Sequence, residues 1–187
     1  ELEALLELLG YRVTWDDALP LGVRVLAPAG RRVIFLGDLV DRGPRIVDSL
    51  RIAMSMVDAG SALCVPGNHE AKLLRKLRGR TVSITHGLAE TLAELEQTTA
   101  AFRDEVACFI DRLVGHYVLD GGRLGVAHAG IKEGMQGRSS SAAREFGLYG
   151  DTTGETDDVG LPVRQDWAAE YHGRACVVYG HTPMLVA

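Results

Sequence analysis

Cysteine is scarce in this chain. The three residues, Cys64, Cys108 and Cys176, are far apart and form no CxxC pair. That excludes a disulfide framework and a thiolate zinc site of familiar spacing. Each lies in an apolar stretch and is expected to be a small buried hydrophobe, which fits a reducing cytoplasm. No apolar run reaches the roughly 18 residues of a membrane-crossing helix, and no signal peptide is visible. Lysine is scarcer than arginine, with three residues against seventeen. Arginine suits bidentate phosphate or carboxylate contacts, although genomic base composition gives the same bias. Acids outnumber bases 25 to 20, for a net charge of −5. A whole-domain electrostatic grip on nucleic acid is therefore excluded, while a local basic cleft is compatible.

What is present reads as an ordinary globular protein. Hydrophobic residues make up 47% and charged residues 24% of 187 positions, enough to bury a core without a staple. One domain spanning residues 1–187 is expected. Its ends look cut, because Leu2, Leu5, Leu6 and Leu9 already follow helical spacing with no capping residue before them.

Alternation of strand and helix follows. Val33 to Leu36 and Ala62 to Val65 are continuous apolar runs, the pattern of buried strands. Between them Pro44 opens a helix of about fifteen residues that Gly60 ends. A second helix runs through Leu73, Leu74 and Leu77 to Gly79, and residues 87–114 are helical with a break at Thr98-Thr99. Asp120-Gly121-Gly122 between two apolar pieces signals a hairpin. Residues 132–170 are polar, Gly-rich and weakly periodic, the mark of a functional segment. Ala175 to Tyr179 reads as a last buried strand. The fold class is α/β.

The chemistry lies where strands end. Gly37-Asp38-Leu39-Val40-Asp41-Arg42-Gly43, Gly67-Asn68-His69-Glu70, His128-Ala129-Gly130 and Gly180-His181-Thr182-Pro183 each follow an apolar run. In layered α/β folds ligands bind at such strand ends. Asp, Asn and His together offer oxygen and imidazole without thiolate, a set for hard or borderline divalent metals.

These clusters resemble the calcineurin-like metallophosphoesterases, in the branch of the Ser/Thr phosphoprotein phosphatases. Alone, HAG says little and GNHE not much more; with GDLVDRG in this order they are specific. Leu63 to Leu95, Ala129 to Arg138 and Leu148 to Trp167 further resemble the phosphatase domain of bacterial polynucleotide kinase-phosphatase. The resemblance covers essentially the whole chain. It implies a layered αββα sandwich and a binuclear site. Asp38 would bridge two metals, and Asn68, His128 and His181 would complete the second. Arg42 would clamp phosphate oxygens, and His69 would stand near the leaving group, oriented by Asp41. Two Mn²⁺ are expected, with Ni²⁺, Co²⁺, Fe or Zn²⁺ compatible. The family's GDxHG motif, which serves the other metal, is absent from these residues and is expected just upstream of Glu1, so one metal position is complete here.

The implied activity is removal of 2′,3′-cyclic, 2′- or 3′-phosphate from RNA ends by direct attack of a metal-bound water, without a phosphoenzyme. The implied partners are RNA 3′ ends, kinase and adenylyltransferase modules of the same polypeptide and an RNA methyltransferase, with no membrane. Two other readings stand beside it. One is a protein Ser/Thr phosphatase or a dinucleoside polyphosphate hydrolase. The other is a non-catalytic metal-binding module whose site has decayed. His86, His116 and His172 lie in no motif and are expected to be structural or surface residues. The run Lys72 to Arg80 reads as a solvated helix face, Trp167 and Tyr171 as packing residues, and residues 132–164 as a substrate-facing insertion.

Overall fold

The computed structural model describes residues 1–156 and 162–182. Pro183 of the last strand-end cluster and residues 157–161 of the Gly-rich segment lie outside the described residues. The chain divides into two compact units, Glu1–Cys64 with His69–Leu113, and Val65–Asn68 with Val114–Ala187. The α/β class expected from the alternation is what forms.

In the first unit, helix α1 (Leu2–Leu8) precedes an antiparallel pair, β1 (Arg12–Trp15) and β2 (Val23–Leu26). Strand β3 (Val33–Phe35) is joined to its parallel neighbour β4 (Ala62–Cys64) through helix α2 (Ile46–Asp58), in the register Val33 to Ala62 and Phe35 to Cys64. A parallel pair needs such a crossover. Helix α2 supplies the core from Leu50, Ile52, Ala53, Met54 and Met56, all buried. Each of the Leu, Ile and Met side chains contributes about 1.5–3 kcal/mol by leaving water. Helix α3 (Asn68–Leu77) follows β4, and α4 (Leu88–Glu96) and α5 (Ala100–Arg112) complete the unit. The break between them is a cap: the Thr99 hydroxyl accepts the Phe102 N–H at 3.1 Å and starts α5.

In the second unit, β5 (His116–Leu119), β6 (Leu124–Ala127) and β9 (Cys176–Val178) form one sheet. The β5–β6 hairpin turns at Gly121 and Gly122, where φ is positive as the sequence requires. Strand β6 pairs parallel to β9 on its other side. The segment read as weakly periodic contains a helix, α6 (Ser141–Tyr149), and a hairpin, β7 (Thr152–Thr156) with β8 (Pro162–Arg164). The helix was hidden because its cap, Ser140, sits in a serine run and its buried residues Ala143, Phe146, Gly147 and Leu148 are too few for a clear period. The hairpin was hidden because the residues of β7 are all exposed, so no apolar alternation marks it.

The cysteine expectation holds in part. Cys64 is buried, but Cys108 and Cys176 are exposed. Cys108 lies on the outer side of α5, and β9 shows an exposed–intermediate–exposed pattern where a buried strand was expected. Burial first, and then the charge of Glu70, raises the Cys64 thiol far above its ordinary value.

Candidate phosphoesterase site

The loop that follows β3 is bent against ordinary backbone preference. Gly37, Asp38, Asp41, Arg42 and Arg45 all have φ between 54° and 85°. Left-handed backbone at non-glycine residues costs about 1–3 kcal/mol each and persists only where its surroundings force it. Glu70, in the first turn of α3 and 0% exposed, is the forcing group. Its carboxylate accepts the N–H groups of Asp38 at 2.8 Å, Leu39 at 2.7 Å and Val40 at 3.3 Å. An acid in a first turn usually reads as a partner of the helix dipole, and no local pattern points to this second task.

Asp41, Arg42 and His69 are brought together within the first unit. His69 Nδ1–H donates to Asp41 Oδ2 at 2.5 Å. Arg42 Nη2 donates to His69 Nε2 at 3.1 Å, because a guanidinium has only protons to give. Together these contacts fix the neutral tautomer with its proton on Nδ1. Thr91, fully buried, accepts the Asp41 N–H at 3.0 Å and donates its own proton to Asp41 Oδ1. Both carboxylate oxygens of this buried acid are therefore bonded, which offsets the cost of taking its charge out of water. Gly87 holds the other side. It has φ of +95°, and a Cβ there would stand 2.5 Å from the Arg42 nitrogen and 2.8 Å from the Asp41 Cβ. Thr91 and Gly87 carried no sequence signal.

Glu70→Gln tests the loop. The amide would turn one donor toward a set of N–H groups and lose the charge that strengthens their bonds. A loss of about 2–4 kcal/mol is expected, read from the urea midpoint. A midpoint matching wild type would show that the loop holds its own shape.

Asn68, His128 and His181 are brought together within the second unit. His128 Nε2 lies 3.1 Å from Asn68 Oδ1 and 2.8 Å from His181 Nδ1. Ligands about 2.1 Å from one divalent cation and at right angles to each other stand about 3.0 Å apart. The three donors therefore fit a cation in spacing and in chemistry, with one amide oxygen and two imidazole nitrogens. Asp38 belongs to the first unit, where its backbone is held as described.

Backbone bonds place the two imidazoles. The His128 carbonyl accepts the Gly180 N–H at 2.8 Å, and Ala129 N–H donates to the Gly147 carbonyl at 2.8 Å. Trp167 locks the same loop from beneath. Its Nε1–H donates to the Ala129 carbonyl at 3.1 Å, and its ring lies where a Cβ on Gly130 would be, 2.1 Å away. Trp167 is 7% exposed, so the packing role expected of it is borne out. His116 is structural as expected, for its Nε2 accepts the Gly137 N–H at 2.8 Å. Burial holds His116 below its ordinary value, which keeps that nitrogen an acceptor. Residues 72–80 carry their bases on or just after α3, with Arg75 and Arg78 exposed.

The calcineurin-like phosphoesterase family matches residues 2–185. A bis(5′-nucleosyl)-tetraphosphatase, PrpE [asymmetrical], of Geobacillus thermodenitrificans is 44% identical over 188 residues, covering 98% of this chain and 74% of the relative. The protein of the same name in Bacillus velezensis is 45% identical over 188 residues, with 98% and 73% covered. That of Bacillus subtilis is 40% identical over 191 residues, with 98% and 74% covered.

These relatives overturn the nearer resemblance. They are named for dinucleotide hydrolysis, not for polynucleotide kinase-phosphatase. About a quarter of each relative lies outside the match, too little for a kinase and an adenylyltransferase domain of ordinary size. The expected kinase and adenylyltransferase modules, the RNA methyltransferase partner and the RNA 3′ ends are corrected accordingly. The physical reason is that the four motifs report on metal and phosphate, which every member handles, and not on the organic part of the substrate. No helix among the described residues is long and apolar enough to cross a membrane. With its strand-end clusters matched along their whole order, the chain belongs to the calcineurin-like phosphoesterase family, whose members are metal-dependent hydrolases.

Proposed function

We propose that this chain hydrolyses dinucleoside tetraphosphates asymmetrically, giving a nucleoside triphosphate and a nucleoside monophosphate. The observation that carries the reading is 44% identity over 98% of the chain to a tetraphosphatase of that specificity. Asp38 would be shared between two divalent cations, Asn68, His128 and His181 would complete the second, and Mn²⁺ is the expected metal. A bound cation supplies Lewis acidity, countering charge on a phosphoryl oxygen and easing loss of a proton from the attacking water.

The chain's own groups do the rest. Arg42 presents its planar fork to two nonbridging oxygens, which a lysine could not match. In doing so it leaves Nε2 of His69, which then takes up a proton from solvent and holds it for the departing oxygen, while the attacking water gives up its own proton to solvent. Asp41 keeps Nδ1 protonated throughout and steadies the resulting imidazolium, while Thr91 fixes the carboxylate. The water oxygen bonds to phosphorus, and the bridging P–O bond breaks. The released oxygen leaves with the electron pair, either as an anion or with the proton from Nε2. Supporting this assignment are the 2.5 Å Asp41–His69 bond and the 3.1 Å Arg42–His69 contact.

The test is product analysis. Di(adenosine-5′) tetraphosphate incubated with the protein and MnCl₂ should yield ATP and AMP in equal amounts. ADP as the sole product, or turnover of RNA 2′,3′-cyclic phosphate with the dinucleotide untouched, would refute the reading.

A further inference from the structure

The second unit contains a cavity that the metal and phosphate chemistry does not use. It holds about 180 Å³, less than the roughly 300–1,000 Å³ of whole drug-sized ligand sites, so it suits one part of a larger ligand. Ala129 and Thr182 line it. These residues directly follow His128 and His181, so the wall begins one residue spacing, about 3.8 Å of backbone, from each of two proposed ligands. Whatever remains of a substrate whose phosphates are held there has this cavity beside it.

Its walls are aromatic. Tyr149, Trp167 and Tyr179 line it. Trp167 and Tyr179 rings are 4.9 Å apart at the centroids, and Phe146 and Tyr171 brace Trp167 at 5.8 Å and 5.9 Å. This cluster is set before anything binds. Tyr149, the last residue of α6, exposes 36% of its surface and offers a free ring to stack on. Arg164 Nη1 donates to the Tyr149 carbonyl at 2.7 Å, tying the foot of the β7–β8 hairpin to the end of that helix.

The charges decide what stacks. Arg164, Asp166 and Asp151 share the lining, and Asp151 is paired to Lys132 at 2.5 Å. With that pair neutralised, one base and one acid remain. Such a balance gives no net positive charge to hold a second polyphosphate group, and suits an uncharged one with hydrogen-bonding edges. Asp166 can accept from ribose hydroxyls or an amino group, and the Gln165 amide both donates and accepts.

We infer that this cavity is a nucleoside subsite, holding the base against Tyr149 and the sugar or base edge on Asp166 and Gln165. The inference rests on the proposed dinucleotide reading for its substrate, but its test does not. Adenosine, which has no phosphate, is titrated into the metal-free protein by calorimetry. Wild type is expected to bind it, and Tyr149→Ala to weaken binding by about 10-fold or more, as loss of a base-stacking ring does. Asp166→Ala, at an exposed position, serves as the second variant should Tyr149→Ala lose its circular dichroism signal, and it too should weaken binding. No binding by wild type, or unchanged affinity in both folded variants, overturns the subsite. Adenosine binding with no cleavage of the tetraphosphate would sustain the subsite and sink the function reading instead.

Discussion

His181→Ala should lower kcat/KM for di(adenosine-5′) tetraphosphate by about 10³-fold or more and leave the melting temperature within a few degrees of wild type. The size follows from the several kcal/mol that a metal contributes to charge stabilisation in phosphoryl transfer. The small stability cost follows from placement. His181 is only half-buried, in a loop after β9, and is not part of an apolar cluster. Removing its imidazole leaves Asn68 and His128 as the donors of their group, so Mn²⁺ affinity should fall by at least about 100-fold, the upper end of what losing a mere supporting contact does. Calorimetric titration with MnCl₂ reads that loss without any substrate. His172→Ala is the control, because His172 is exposed and outside the site, and both readouts should stay at wild-type values. A His181→Ala protein that binds Mn²⁺ and turns over normally would remove the metal assignment.

Much of this site was legible because its residues are chemically expensive to place. Asp38, Asp41, Asn68 and His128 stand at the ends of apolar runs, where a carboxylate, amide or imidazole is costly to bury and so marks a candidate. The letters of the HAG string were uninformative by themselves, and the structure supplies the reason for each. His128 offers its nitrogen, Ala129 is buried and bonds Gly147 and Trp167, and Gly130 leaves room for an indole ring. The supporting residues were not legible. Glu70, Thr91 and Gly87 act on partners 30 to 50 positions away in the chain, through contacts that no local pattern encodes. The helix α6 was lost for a different reason, since nine residues with a glycine in the last turn give too little period to detect. The relatives' names favour the alternative reading, a dinucleoside polyphosphate hydrolase, over RNA ends, because phosphate-handling groups are common to enzymes with unrelated leaving groups. The lining around Tyr149 and Arg164, proposed above as the nucleoside subsite, falls in the stretch with the weakest pattern.

The second large effect depends on the leaving group. His69→Asn should slow hydrolysis of an alkyl phosphate by about 10²–10⁴-fold, the usual worth of a positioned acid, and slow the tetraphosphate by less than about 10-fold. An asparagine amide can still donate to Asp41 Oδ2, so the buried carboxylate keeps its partner and the fold is spared. What the amide lacks is a second nitrogen that can carry a proton outward. An alkoxide needs that proton. The oxygen released from a phosphoanhydride belongs to a phosphate whose second pKa is about 6, so at neutral pH it departs as an anion unaided. A series of aryl phosphates of graded acidity gives the same comparison within one substrate class, and the variant should show the steeper dependence of rate on leaving-group pKa. Equal losses on alkyl phosphate and tetraphosphate would mean that His69 acts through Arg42 and Asp41, as a support for the phosphate clamp, and not as the proton donor.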